Sequence, residues 1–156
     1  LFLFVVILLQ SLSSSAQNSE VEIYNFDNPQ QLNEFEKLDL DKTHENLLNP
    51  NVSKDSINKV IESWTALHQA IGKHLKSQKF KWGVESESVS ILHKIYFHNN
   101  GKIKAHFFRI LSPDLPEKSA SAFAKQLEGF AKGYQLNITR DNDFAQCGKA
   151  RYAVEN

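Results

Sequence analysis

Residues 94–108 read KIYFHNNGKIKAHFF, two runs of alternating apolar and polar residues on either side of Asn99-Asn100-Gly101. Two strands that must close over so short a loop leave few arrangements, and Gly101 suits the left-handed conformation that such loops demand. The side-chain period of a strand is two, so the register can be tested against the pattern. A two-residue loop would set Ile95 opposite His106 and Phe97 opposite Lys104, placing polar residues on an apolar face. A three-residue loop sets Phe97 opposite Ile103, Ile95 opposite Ala105 and His93 opposite Phe107. It gathers Ile91, Ile95, Phe97, Ile103, Ala105 and Phe107 on one face. The second register is therefore expected, with Lys94, Tyr96, His98, Lys102, Lys104, His106 and Phe108 on the other, partly solvated face.

The flanking segments supply helices. Ile57, Val60, Ile61, Trp64, Leu67, His68, Ile71 and Leu75 recur at steps of three and four, the stripe of an amphipathic helix, with Ser53 or Asp55 as a cap. After the hairpin, Ala120, Phe123, Ala124, Leu127, Phe130, Ala131 and Tyr134 form a second stripe. Asp114 and Glu117 suit a capping box, Pro116 the first turn and Gly133 the C-terminal cap. "YQLNI" and "CGKARYAV" read as extended runs, and Phe80 with Trp82 as a short stretch entering the sheet. The expected fold class is α+β. A small antiparallel sheet, made of the hairpin and a C-terminal strand, is packed on one face by two helices in the order α-β-β-α-β. Trp64, Phe97, Phe107, Phe123 and Phe130 are the expected core.

Ahead of this body lies an apolar run, Leu1–Leu9, followed by Ser14-Ser15-Ala16. Nine residues rise only about 14 Å as a helix, short of a bilayer core. The pattern predicts a signal peptide over residues 1–16, lacking its first residues and cleaved between Ala16 and Gln17. The alternative is a buried N-terminal strand. No other run is long enough to span a membrane, so the mature chain is expected to be soluble, periplasmic or secreted. Its single cysteine, Cys147, has no partner for an internal disulfide, which favours a Gram-negative periplasm. The sequons at Asn51 and Asn137 leave a eukaryotic route open. Net charge is zero but divided: residues 17–50 hold eight acids and two bases, the remainder ten acids and sixteen bases. An acidic N-terminal arm over 17–50 thus precedes a basic single domain over 51–156.

Chemistry is sparse. None of the local signatures GxSxG, HExxH and CxxC, nor a phosphate-binding Gly loop, occurs. No catalytic residue, metal site or cofactor is expected. His98 and His106 share their expected face with three lysines, poor company for zinc. Cys147 beside Gly148 and Lys149 reads either as an activated thiol or as a small buried hydrophobe, and the second is the commoner use. His68 on the apolar stripe reads as a half-buried, satisfied histidine, and His44 as a loop residue. Lys73, Lys76, Lys79 and Lys81 beside Trp82, together with Lys94, Tyr96 and Lys104, are the candidate binding residues. An anionic polymer or lipid headgroup would suit them, and no nucleic-acid partner is expected.

With this order of elements, "VSILHKIYFHNNGKIKAHFFRILSP", the helix after it and the last strand resemble the TonB C-terminal domain. Asn100, Gly101 and Lys102 match that family's turn, and Ile95, Phe97 and Ile103 its apolar strand positions. "FAKGYQL" matches an aromatic helix end, and Gly148 the entry to the last strand. The chain is also similar to small exported proteins of Bacteroidetes-type bacteria. The likeness spans residues 57–154. It lacks the family's membrane anchor, Pro-rich spacer and Tyr-Pro pair, which argues against an energy transducer. What it implies is a non-catalytic scaffold that offers a free sheet edge to another envelope or secreted protein.

Overall fold

The computed structural model of the protein describes residues 21–154. The apolar run and the expected cleavage site lie outside the described residues. Eleven short and long elements build one five-stranded sheet with helices on both faces. The strands are β1 (Glu22–Asn25), β2 (Glu45–Asn46), β3 (Ser88–Phe97), β4 (Ile103–Ile110) and β5 (Phe144–Ala153). Their spatial order is β1-β4-β3-β5-β2. The helices are α1 (Pro29–Leu38), α2 (Pro50–Ser53), α3 (Ile57–Ser77) and α4 (Glu117–Gly133).

The α+β class is as expected; α3, β3, β4, α4 and β5 follow one another as expected, but β1, α1, β2 and α2 precede them, so the order of the whole fold differs from α-β-β-α-β. The sheet is larger than expected and it is mixed. β3 is its centre, antiparallel to β4 and β5, while β1 and β2 from the acidic segment add in parallel at the two outsides. Helix α1 caps the face opposite α3 and α4. Its Phe35 stacks on Phe107 with ring centroids 4.1 Å apart and touches Tyr24 and Tyr96.

That second cover explains a correction to the hairpin. Phe97 pairs with Ile103 as expected, but Tyr96 then pairs with Ala105, leaving Lys104 as the extra residue of a β-bulge. Beyond it every β4 side chain is on the other face from that expected. His106, Phe108 and Ile110 turn toward α3 and α4, while Ala105 and Phe107 turn toward α1. His106 and Phe108, placed on the partly solvated face by the simple alternation, are fully buried.

The helix-side core is Val60, Leu67, Ile71, Ile91, Ile95, Phe97, Phe108, Phe123, Leu127 and Phe144. Of the expected core aromatics, Phe97 and Phe123 are fully buried, Trp64 and Phe130 are partly so, and Phe107 belongs to the other side. Ile61 is 48% exposed. The caps differ too. Ser53 Oγ donates to the Leu47 carbonyl at 2.6 Å instead of capping α3, and α4 begins after Pro116 without a side-chain cap. Phe80 and Trp82 form no strand; Trp82 is 4% exposed and packs on Phe80, Phe123 and Tyr152. "YQLNI" runs as a loop along the hairpin tip, bonding it through Leu136 N–H to Gly101 O.

Candidate functional site

The last strand has two unequal sides. On its inner side β5 pairs with β3 over all ten residues; on its outer side it meets β2 only at Phe144 and Ala145. Ala145 O accepts from Leu47 N–H at 2.8 Å, and Cys147 N–H donates to Asn46 Oδ1 at 3.1 Å. Odd-numbered backbone groups therefore point outward, and the alternation carries this on to Lys149, Arg151 and Ala153. Among the described residues no strand covers the edge from Cys147 to Ala153.

Beside that edge runs a groove between α3 and β5. Its two connected clefts are lined by Trp64, His68, Gly72, Lys73, Lys76 and residues 149–153, with Phe80 and Trp82 at one end. Space, not flexibility, explains Gly148 here, whereas no neighbour requires a glycine at position 72. A Cβ on Gly148 would come within 3.0 Å of the Trp64 ring, and a Cβ on Gly72 would meet nothing within 4 Å. Lys149 and Arg151 are exposed, and among the described residues no carboxylate lines either cleft. Seen from the groove, an added chain would meet backbone donors and acceptors, an aromatic wall and positive charge.

The candidate binding residues divide between two places. Lys73 and Lys76 line the groove, and Lys79, Lys81 and Trp82 follow α3 in the loop. Trp82 is buried and offers no stacking platform. Lys94, Tyr96 and Lys104 belong instead to the α1 side of the sheet. Lys94 Nζ reaches Asp41 Oδ2 at 2.5 Å and Tyr96 Oη donates to Asp41 Oδ1 at 2.8 Å. Burial alone would raise the Asp41 pKa, but these two partners outweigh it and hold the carboxyl below its ordinary value, while burial and Asp41 push Tyr96 upward. Asp143 forms a second knot, 3.4 Å from Lys104 Nζ, 3.6 Å from His44 Nε2 and 3.7 Å from His98 Nδ1. His44 lies in the loop before β2, as expected, and is 4% exposed. Burial, then the nearby Lys104, lowers its pKa. Among the described residues no group of three or more His, Cys, Asp and Glu is arranged to hold a metal ion.

Cys147 is half-buried, and burial raises its thiol pKa despite the pull of Lys94. Sequence alone does not single out the groove. Its signal was present in "GKARYA", where Lys149 and Arg151 alternate with Gly148, Ala150 and Tyr152. No helix among the described residues is long and apolar enough to cross a membrane. No family model, no curated protein and no solved structure matches the chain.

Proposed function

We propose that this chain is an exported, non-catalytic protein-interaction domain that accepts an extended segment of another envelope or secreted protein along the outer edge of β5. The observation that carries this reading is the edge Cys147–Ala153, paired with a strand on its inner side only, where among the described residues the outer side is met just by Asn46 Oδ1 at Cys147 N–H. A strand added there gains main-chain hydrogen bonds for affinity and sends alternate side chains to the two sheet faces for specificity. One set would enter the groove over Trp64, His68 and Gly72; the other would lie by Lys149 and Arg151, which favours acidic residues at those positions. The apolar run Leu1–Leu9 supports export, and the TonB C-terminal resemblance supports the scaffold role.

The direct test is selection of displayed extended peptides against the full chain, followed by Arg151→Pro. Proline removes an outward N–H while leaving the bonds of β5 to β3 intact. Loss of peptide binding with an unchanged fold is the expected result; undiminished binding would sink the reading. The competing reading is an anionic polymer held by Lys73, Lys76, Lys149 and Arg151, favoured by the run of cations along the groove. Heparin retention that collapses between low and moderate salt, alongside indifference to Arg151→Pro, would select it.

A further inference from the structure

Four side chains from four elements form a hydrogen-bonded line through the helix-side core. His68 Nδ1 of α3 is 2.6 Å from Tyr152 Oη of β5. Tyr152 Oη is 3.1 Å from His93 Nε2 of β3, and His93 Nδ1 is 2.8 Å from His106 Nε2 of β4. His93 and His106 are completely buried. At the two ends of the line, His68 Nε2 and His106 Nδ1 are buried without a hydrogen-bond partner, and the His68 end borders the groove.

Proton counting shows what this line tolerates. Three contacts need three hydrogens, and neutral rings supply them in either of two concerted orientations. In one, His68 Nδ1–H donates to Tyr152, the tyrosine hydroxyl to His93, and His93 Nδ1–H to His106. In the other every donor and acceptor is reversed. A further proton must therefore create a cation inside the core. Nothing there receives it. On β4 and α4 the line faces Phe108 and Phe123; Trp64 of α3 and Trp82 pack on His68 and Tyr152. Gln146, the polar neighbour on β5, donates from Nε2 to Ser63, and its unpartnered Oε1 is a neutral amide oxygen that offers no countercharge. The charged groups at the open end are Lys149 and Arg151, both cations. Burial depresses all three rings, alone at His68, with His68 added at His106 and with both other histidines added at His93: His68 and His106 fall to about 3, and His93 well below its ordinary value.

We propose that this line is an acid latch: neutral, it ties α3 to the three central strands, and proton uptake in mildly acidic solution releases α3 and opens the groove beside β5. His68, at the floor of the groove, is where a proton enters. The latch stands whether or not the β5 edge binds a peptide. Its sign follows from linkage. The folded pKa values lie below the unfolded value of about 6.5, so the unfolded or opened chain binds more protons below that pH. Stability is intact above about pH 6.5 and falls as the pH drops toward the folded values.

Urea unfolding of the full chain between pH 7.5 and 4.5 tests this. Three rings acting together lower the folding constant by up to roughly a thousandfold per pH unit below about pH 5.5, against roughly a hundredfold for His106→Leu. A slope of tenfold or less in the native chain, or an identical slope in the variant, would overturn the latch. If His106→Leu does not fold, NMR of the native chain decides. The three rings should stay neutral to pH 5 in the folded signals. Amide exchange in α3, corrected for its intrinsic pH dependence, should accelerate relative to the β3–β4 hairpin between pH 7 and 5. Rings that titrate near 6.5 in an intact fold, or α3 exchange that tracks the hairpin, would overturn it.

Discussion

Gly101 has φ +86°, and a Cβ there would come within 2.5 Å of Leu136 O and 2.8 Å of Ile138 O. Conformational strain and a backbone clash thus act together, because the loop after α4 is laid against the turn. Gly101→Val should destabilise by about 2–4 kcal/mol in urea unfolding. Asn100 does less: its Oδ1 accepts from Lys102 N–H at 3.0 Å on the surface. Asn100→Ala should cost no more than about 1 kcal/mol; equal losses would show that the turn does not carry this strain. Cys147 makes a second prediction at this scale. Burial raises its thiol pKa, so alkylation at neutral pH should be slow in the native chain and should accelerate in urea. Labelling as fast as that of a small free thiol would contradict the packing found around β5. Both residues were readable from their neighbours in sequence, since a turn glycine and a lone cysteine near a strand have local meanings. His106 was not. Its face depends on the bulge at Lys104, and nothing local marks that bulge.

At the scale of elements, α3 and α4 were legible because each buries one stripe and leaves the opposite side to water. Strand β4 was not, because α1 covers one of its faces and α4 the other. IKAHFFRI then carries apolar residues in both phases, and alternation cannot choose between them. The same logic locates the stabilising groups of the acidic segment. Phe35 sits among Phe107, Tyr24 and Tyr96, whereas the Asp41–Lys94 pair is largely solvent-exposed on the Asp41 side. Phe35→Ala should cost about 2–4 kcal/mol, a little less than a fully buried phenylalanine, and Asp41→Asn about 1 kcal/mol or less. Denaturation of the two variants at low and high salt checks the ranking; a larger loss for Asp41→Asn would mean that charge, not apolar contact, seats α1. On α3, Gly72 is an interior helical glycine with open space where a Cβ would go. Gly72→Ala should therefore raise stability by about 0.5–1 kcal/mol. A loss instead would show that the groove floor is packed.

Over the whole molecule the charge division becomes a division of labour around one sheet. The segment 21–46 adds β1 beside β4, β2 beside the start of β5, and α1 across Tyr96, Ala105, Phe107 and Ala145. Composition left open whether this segment docks on the basic body or serves a separate partner, and opposite charge has no register, so it could not say that the segment enters the sheet in parallel on both flanks. The consequence is an asymmetric pair of edges. β4 is covered along Ala105–Phe108, while β5 is covered only at Phe144 and Ala145. Removing residues 1–46 should unbalance this in a defined way. The shortened chain would expose Phe107 and Tyr96 as one apolar patch and would bare the β4 edge beside it, an arrangement prone to edge-to-edge pairing. Surface ion pairs contribute little to holding the segment, so salt should neither mimic nor rescue the deletion. Sedimentation of the shortened chain should accordingly become concentration-dependent, and it should remain so across ionic strength. Placing a lysine at Phe107 in the same shortened chain breaks up the patch and should restore concentration-independent behaviour. If the shortened chain sediments as the full chain does, α1 and β1 are not what keeps β4 from pairing with another copy.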